Sequence, residues 1–193
     1  MTLSCLRVLA AIAGVAACGA PADQAAVPNT SLDAYVNVAR RIYATERSGT
    51  PVRASLRRIS HDAAAMRGNR AELLRQLFLP RYHVVRLRVV RGGHVVGDVG
   101  GRFVVAGATR RGMTISIQDV IGYVTLVHRL TGQAIVVRGR PGHVVASSRA
   151  LSTASLPPSG SATVAGKTYA VTTFDEPGFA GARLHAWILG RPT

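Results

Sequence analysis

Four residues in the second half of the chain have the types and spacing to hold a small polar ligand: Gln118, Asp119, Tyr123 and Arg138. A carboxylate at Asp119 can pair with a ligand amine, and the Gln118 amide beside it offers both a donor and an acceptor. Tyr123, one helical turn further on, brings an amphipathic ring able to close a pocket. Arg138 adds a guanidinium fork suited to an anionic group. Asp119 also has a plainer reading, as the N-cap of a helix beginning at Val120, and the residues alone leave both open. His128 and Arg129 fall at the end of that helix, where cations favour the helix dipole without any ligand.

Other chemistries find no foothold. Paired-carboxylate catalysis needs two acids at one cavity, and only Asp98 and Asp119 fall in the core of the expected sheet, Asp175 and Glu176 being expected in a turn. There is no G-x-S-x-G elbow and no dinucleotide-binding glycine turn. Gly160 to Thr168 resembles a phosphate loop, but five residues separate its glycines where four are needed, and strands flank it on both sides. The six histidines, at 61, 83, 94, 128, 143 and 185, lack metal-ligand spacing. No nucleophile–base pair can be named. The expectation is a binding protein with no metal and no cofactor, not an enzyme.

The elements that must position these residues follow from periodicity. Leu32, Tyr35/Val36, Ala39 and Ile42/Tyr43 make a helical stripe from about 30 to Glu46. A second helix is expected over Val52–Arg67 and a third, capped by Asn69, over Ala71–Leu79 before Pro80. The period then changes to two. Strands are expected over His83–Val90 and His94–Val99 around an Arg91-Gly92-Gly93 turn, then Arg102–Ala106, with Thr109–Gly112 a loop. Met113–Gln118 alternates as a strand and leads into the Asp119-capped helix, which Gly132 can close. Ile135–Arg138 and His143–Ser147 form a hairpin over Gly139–Gly142. Ala162–Ala165 and Thr168–Thr173 form another over Gly166-Lys167, and Arg183–Leu189 is the last strand. A short helix lying across such a sheet can leave a small cavity beside Gln118 and Asp119.

The chain has 193 residues, enough for one core after an N-terminal address. Residues 1–17 read as a signal peptide, whose apolar run from Val8 to Ala17 is too short to span a bilayer. The run ends in Val15-Ala16-Ala17-Cys18, a lipobox-like sequence that would make Cys18 a lipid-bearing first residue. Cleavage after Ala20-Pro21-Ala22 is the alternative and would give a secreted protein. Residues 18–29 are rich in proline and alanine and suit a tether. With Cys5 in the leader and Cys18 acylated, the folded domain has no thiol. The formal charge is +15, carried by arginines that are scattered rather than massed, with aromatics at only 5%. That pattern speaks against nucleic acid and fits a modest attraction to an anionic cell envelope.

Taken together, the leading helices, the hairpin, ISIQDVIGY entering a short helix, LTGQAIVVRGRPGHVVASS and the closing hairpin AGKTYAVTTF resemble the Cache sensor domains, extracytoplasmic relatives of PAS domains. The likeness covers about residues 30–190. It implies an α+β fold, N-terminal helices (30–79) packed on a PAS-like antiparallel sheet of five to seven strands (82–190), in one domain from 30 to 193. It also implies a small polar metabolite, an amino acid or a carboxylate, bound over the sheet near Gln118, Asp119, Tyr123 and Arg138. The resulting expectation is an extracytoplasmic, lipid-anchored, sensor-like module that binds such a metabolite or docks on a membrane-protein partner that does the signalling. The alternative is a structural or interaction lipoprotein of the envelope with no small ligand.

Overall fold

The computed structural model describes residues 30–79, 83–139, 144–148 and 156–191. The expected leader (1–17), tether (18–29), lipidation site Cys18 and the Arg140–His143 turn region lie outside the described residues. Four helices come first. Helix α1 (Thr30–Ser48) buries Leu32, Val36, Ala39 and Tyr43, a stripe of the i, i+4, i+7 kind. Helix α2 (Thr50–Ile59) turns inward Val52, Leu56 and Ile59. The long second helix expected over 52–67 is broken at Ser60. There the Asp62 carboxylate accepts from the amides of Ala64 and Ala65, each at 2.9 Å, and starts a new turn, α3 (Ala63–Met66). Helix α4 (Arg70–Leu77) is capped by Asn69, which accepts from Glu72 N at 3.0 Å.

The rest of the chain is antiparallel sheet around one further helix, so the α+β class holds. Strands β1 (Arg86–Arg91), β2 (His94–Gly100), β3 (Ala108–Arg110) and β4 (Met113–Ser116) form a four-stranded sheet ordered β2-β1-β4-β3. Helix α5 (Val120–Thr131) follows, with Gly132 closing it at φ 68°. Strands β5 (Ala134–Arg138), β6 (Val144–Ser147), β7 (Ser159–Val164), β8 (Lys167–Pro177) and β9 (Arg183–Leu189) form a five-stranded sheet ordered β6-β5-β9-β8-β7. The strands are therefore divided between two sheets, where the sequence suggested one of five to seven. The division falls at α5: the chain leaves the first sheet through Gln118 and Asp119, and β5 then pairs with β9 instead of returning to β4.

Two segments differ from their expected forms for an identifiable reason. Arg102–Ala106 is apolar enough for a strand, but its main chain serves α5 instead. Val105 N donates to Gln118 O at 3.0 Å, and Val120 N donates to Phe103 O at 3.2 Å. Only isolated bridges remain there, Val104 with Asp119 and Val105 with Gly178. The third strand is instead Ala108–Arg110, part of the stretch expected as loop, which turns back through Arg111-Gly112.

Each sheet has its own helical cover. Val52, Leu56, Ile59, Ala65 and Leu73 pack on Leu87, Val89, Val99, Met113 and Ile115 of the first sheet. The α1 stripe and Val120, Tyr123, Val124 and Val127 of α5 pack on Ile135, Val137, Phe174, Leu184, Ala186 and Ile188 of the second. Its other face buries Val136, Tyr169, Val171, Trp187 and Leu189 beneath Leu156. Tyr43 joins the two halves. Its hydroxyl donates to Pro177 O on β8 and accepts from Ala106 N at 2.9 Å, in the segment linking β2 to β3. Its ring meets Tyr123 edge-on with centroids 5.4 Å apart. Burial pushes the Tyr43 hydroxyl up to about 12, so it stays neutral and keeps its proton for Pro177.

Removing that hydroxyl leaves the buried Ala106 amide without its acceptor. Tyr43→Phe is expected to lower unfolding stability by about 1–3 kcal/mol. Urea denaturation reads this directly, and an unchanged midpoint would mean that the apolar ring alone joins the two halves.

An arginine cleft between the two sheets

The outward face of the first sheet is set by strand parity. Leu87 and Val89 point into the core, so Arg86 and Arg88, at i and i+2, share the opposite face. Two like charges so placed repel unless something lies between them. Asp98 on β2 stands directly opposite Arg88. Its carboxylate accepts from Arg86 Nε at 3.1 Å and Nη2 at 3.0 Å, and from Arg88 Nε at 2.9 Å and Nη2 at 2.6 Å. Arg86 spends its Nη1 as well, on Gly101 O at 3.2 Å and Arg102 O at 3.1 Å. That leaves Arg86 almost fully engaged, holding the 101–102 turn in place. Among the described residues Arg88 donates only from Nε and Nη2, and no partner there takes its Nη1.

Beneath the pair lies Phe179, in a tight turn between β8 and β9. Its ring is 4.9 Å from Arg86 Cζ and 5.9 Å from Arg88 Cζ, a doubled cation–π contact. The turn is closed by Gly178 N donating to Ala182 O at 2.5 Å, with Ala180 held at φ 55° and Gly181 at φ 84°. Between this turn and the first sheet is a cleft of about 1000 Å³. Arg86, Arg88, Arg102 and Phe103 line one side, and Phe179, Arg183 and Leu184 the other, with Gly139 at the edge. Among the described residues, no carboxylate lines it. Counting Asp98 behind them, four guanidiniums against one carboxylate leave a formal excess of three positive charges. A concave, basic site with two phenylalanine rings suits a small anion with an organic body. A smaller cleft of about 400 Å³, beside Leu32, Tyr35 and Gln133, has Arg191 as its cation.

The four residues singled out from the sequence do not converge. Asp119 is the N-cap of α5, accepting from Gly122 N at 2.6 Å. Gln118 folds back over the same turn: a Cβ on Gly122 would lie 1.9 Å from its Nε2. Tyr123 is 1% exposed and donates to Ala39 O at 3.2 Å, within the core. The space between α5 and the sheet is occupied by the apolar residues of that core. Arg138 belongs to the other face of the second sheet, with Val136, and its Cζ lies 4.7 Å over the Trp187 ring. The expected site nevertheless adjoins the cleft through the main chain. Asp119 bridges Val104, and Arg138 precedes Gly139.

Sequence reasoning passed over Arg86, Arg88, Arg102 and Arg183. The available signal was the R-x-R alternation in a strand with an acid on its hairpin partner. Among the described residues, no group of three or more His, Cys, Asp or Glu could hold a metal ion, and no helix is long and apolar enough to cross a membrane. No family model, no curated protein and no solved structure matches this chain.

Burial acts to raise the Asp98 pKa, but the hydrogen bonds and charges of Arg86 and Arg88 outweigh it and hold the carboxyl below the usual aspartate range. A folded-state value below the unfolded one adds stability that is complete above about pH 4 and is lost as pH falls through the folded value. Asp98→Asn should therefore cost about 1–3 kcal/mol at neutral pH, less than a fully buried pair because these groups are partly solvated. It should also flatten the acid limb of the stability–pH profile. A variant with unaltered acid sensitivity would show that the carboxylate does not hold the pair.

Proposed function

We propose that this protein is an extracytoplasmic, sensor-like module that binds a small anionic metabolite of the carboxylate class in the arginine cleft. The observation that carries the reading is the charge imbalance of the cleft: guanidiniums converge from both sheets, and the one acid beside them, Asp98, is already shared by two. Arg88, Arg102 and Arg183 contact the ligand; Arg86 and Asp98 position Arg88 and the 101–102 turn. Phe103, 44% exposed, flanks the ligand's carbon skeleton, while Phe179, 6% exposed, supports Arg86 and Arg88 from below. The five-stranded antiparallel sheet under α1 and α5 is compatible with the PAS-like resemblance, although the ligand then sits between sheets and not beneath α5.

A second reading, a structural or interaction lipoprotein of the envelope, is favoured by the filled space between α5 and the sheet. A thermal-shift screen of small carboxylates separates the two. At a hundredfold excess over Kd, a true ligand should raise Tm by about 5–10 °C. The shift should vanish in Arg102→Gln and in Arg183→Gln, neither of which forms an ion pair among the described residues, while each unliganded variant melts as the parent does. No shift with any carboxylate would favour the structural reading, and a shift that survives both substitutions would move the ligand elsewhere.

Tethering through Cys18 is part of the same proposal. Cys18→Ala should release the protein from the membrane fraction of expressing cells into the soluble one; unchanged attachment would remove the lipid from the account.

A further inference from the structure

We propose that the outer face of α2 is a docking surface for an anionic lipid leaflet. Helix α2, TPVRASLRRI, contains three arginines and no acid. Val52, Ser55, Leu56 and Ile59 point inward, which leaves Arg53, Arg57 and Arg58 exposed on the outside. Three arginines elsewhere are matched by acids: Arg75 pairs with Glu72 and Asp62, and Arg86 and Arg88 share Asp98. Among the described residues, none of the three α2 arginines forms an ion pair. Arg53 reaches back to Ser48 O, at the junction with α1. Helix α1 adds exposed Arg41, while its Arg40 lies over the Phe174 ring and Arg40 and Arg47 sit near Glu176. The outer face of α2 therefore presents positive charge without a large exposed apolar residue that would insert into lipid, the profile of a face that rests on headgroups.

Chain length puts a membrane within reach. From Cys18 to Thr30, twelve residues span at most about 40 Å. Helix α1, 19 residues long, covers about 28 Å before α2 begins. A protein tethered at residue 18 can thus lay α2 on the leaflet that holds its anchor. The surface acts by charge and does not need the anchor, so it can be tested with the lipid removed.

The test uses the full chain carrying Cys18→Ala, sedimented with vesicles of phosphatidylglycerol and phosphatidylcholine or of phosphatidylcholine alone. Binding to the anionic vesicles only, weakening as salt rises beyond about 0.15 M, is expected. Each arginine near such a surface is worth about 1 kcal/mol, roughly fivefold in partition. The triple variant Arg53→Gln, Arg57→Gln, Arg58→Gln should therefore bind about a hundredfold more weakly with an unchanged melting temperature. Arg91→Gln, Arg111→Gln, Arg129→Gln removes the same charge from other elements and should bind nearly as the parent does. Equal loss in that control would make net charge the cause and overturn the proposal. So would equal binding to neutral vesicles, no binding at all, or equal capture by duplex DNA lost in the same α2 variant.

Discussion

One carboxylate shared by two guanidiniums sets the character of this molecule. Arg86 and Arg88 are forced onto the same face by strand parity, and Asp98 is what allows them to remain there side by side. It balances only one of the two charges. The surplus is directed into a cleft whose far wall adds Arg183 and whose rim adds Arg102. Phe179 supports the pair from below through its ring face, so the β8–β9 turn of the second sheet is fitted to the charges of the first. An ion pair built for stability alone would match charges one to one. This arrangement instead keeps positive potential in a concave place, where field lines are focused.

The two sheets need a joint for that cleft to have a defined shape, and buried phenols supply it. Tyr43 sits on α1 yet bonds to β8 on one side and to Ala106 on the other, while Tyr123 anchors α5 to the Ala39 carbonyl. Two isolated bridges complete the connection, Val104 to Asp119 and Val105 to Gly178. The segment 101–106 is thus read from both directions: it braces α5 with its main chain and offers Arg102 and Phe103 to the cleft. Cleft and fold meet in the same six residues.

Much of this was legible in advance, and the failures have definite causes. Asp119 and Gly132 marked the ends of α5 because capping chemistry is local. The stripes of α1 and α2 were visible because one face of each is polar. Arg138 was placed on the wrong side because β5 reads Ala-Ile-Val-Val before it, apolar on both faces, so no alternation tells the helix side from the Trp187 side. Asp98 was hidden by a bulge. Counted from the Gly92-Gly93 turn without interruption, it would lie opposite Leu87 and point into the core. The register shift between Val89 and Val90 moves it opposite Arg88. One extra residue in β2 decides whether the arginines have a partner, and nothing in the letters announces it. The two-sheet division was equally hidden, since strand order depends on β9 returning to β5, a contact some fifty residues apart in sequence.

On the proposed reading, the cleft's arginines and not the residues around α5 meet a carboxylate ligand. Side-chain nitrogen NMR of the arginines, followed while a stabilising carboxylate is titrated in, tests it most directly. The Arg88, Arg102 and Arg183 resonances should move together with one dissociation constant, while Arg138, stacked on Trp187, stays where it is. Perturbation confined to Arg138 and to the amides of Gln118–Tyr123, with the cleft arginines silent, would contradict it.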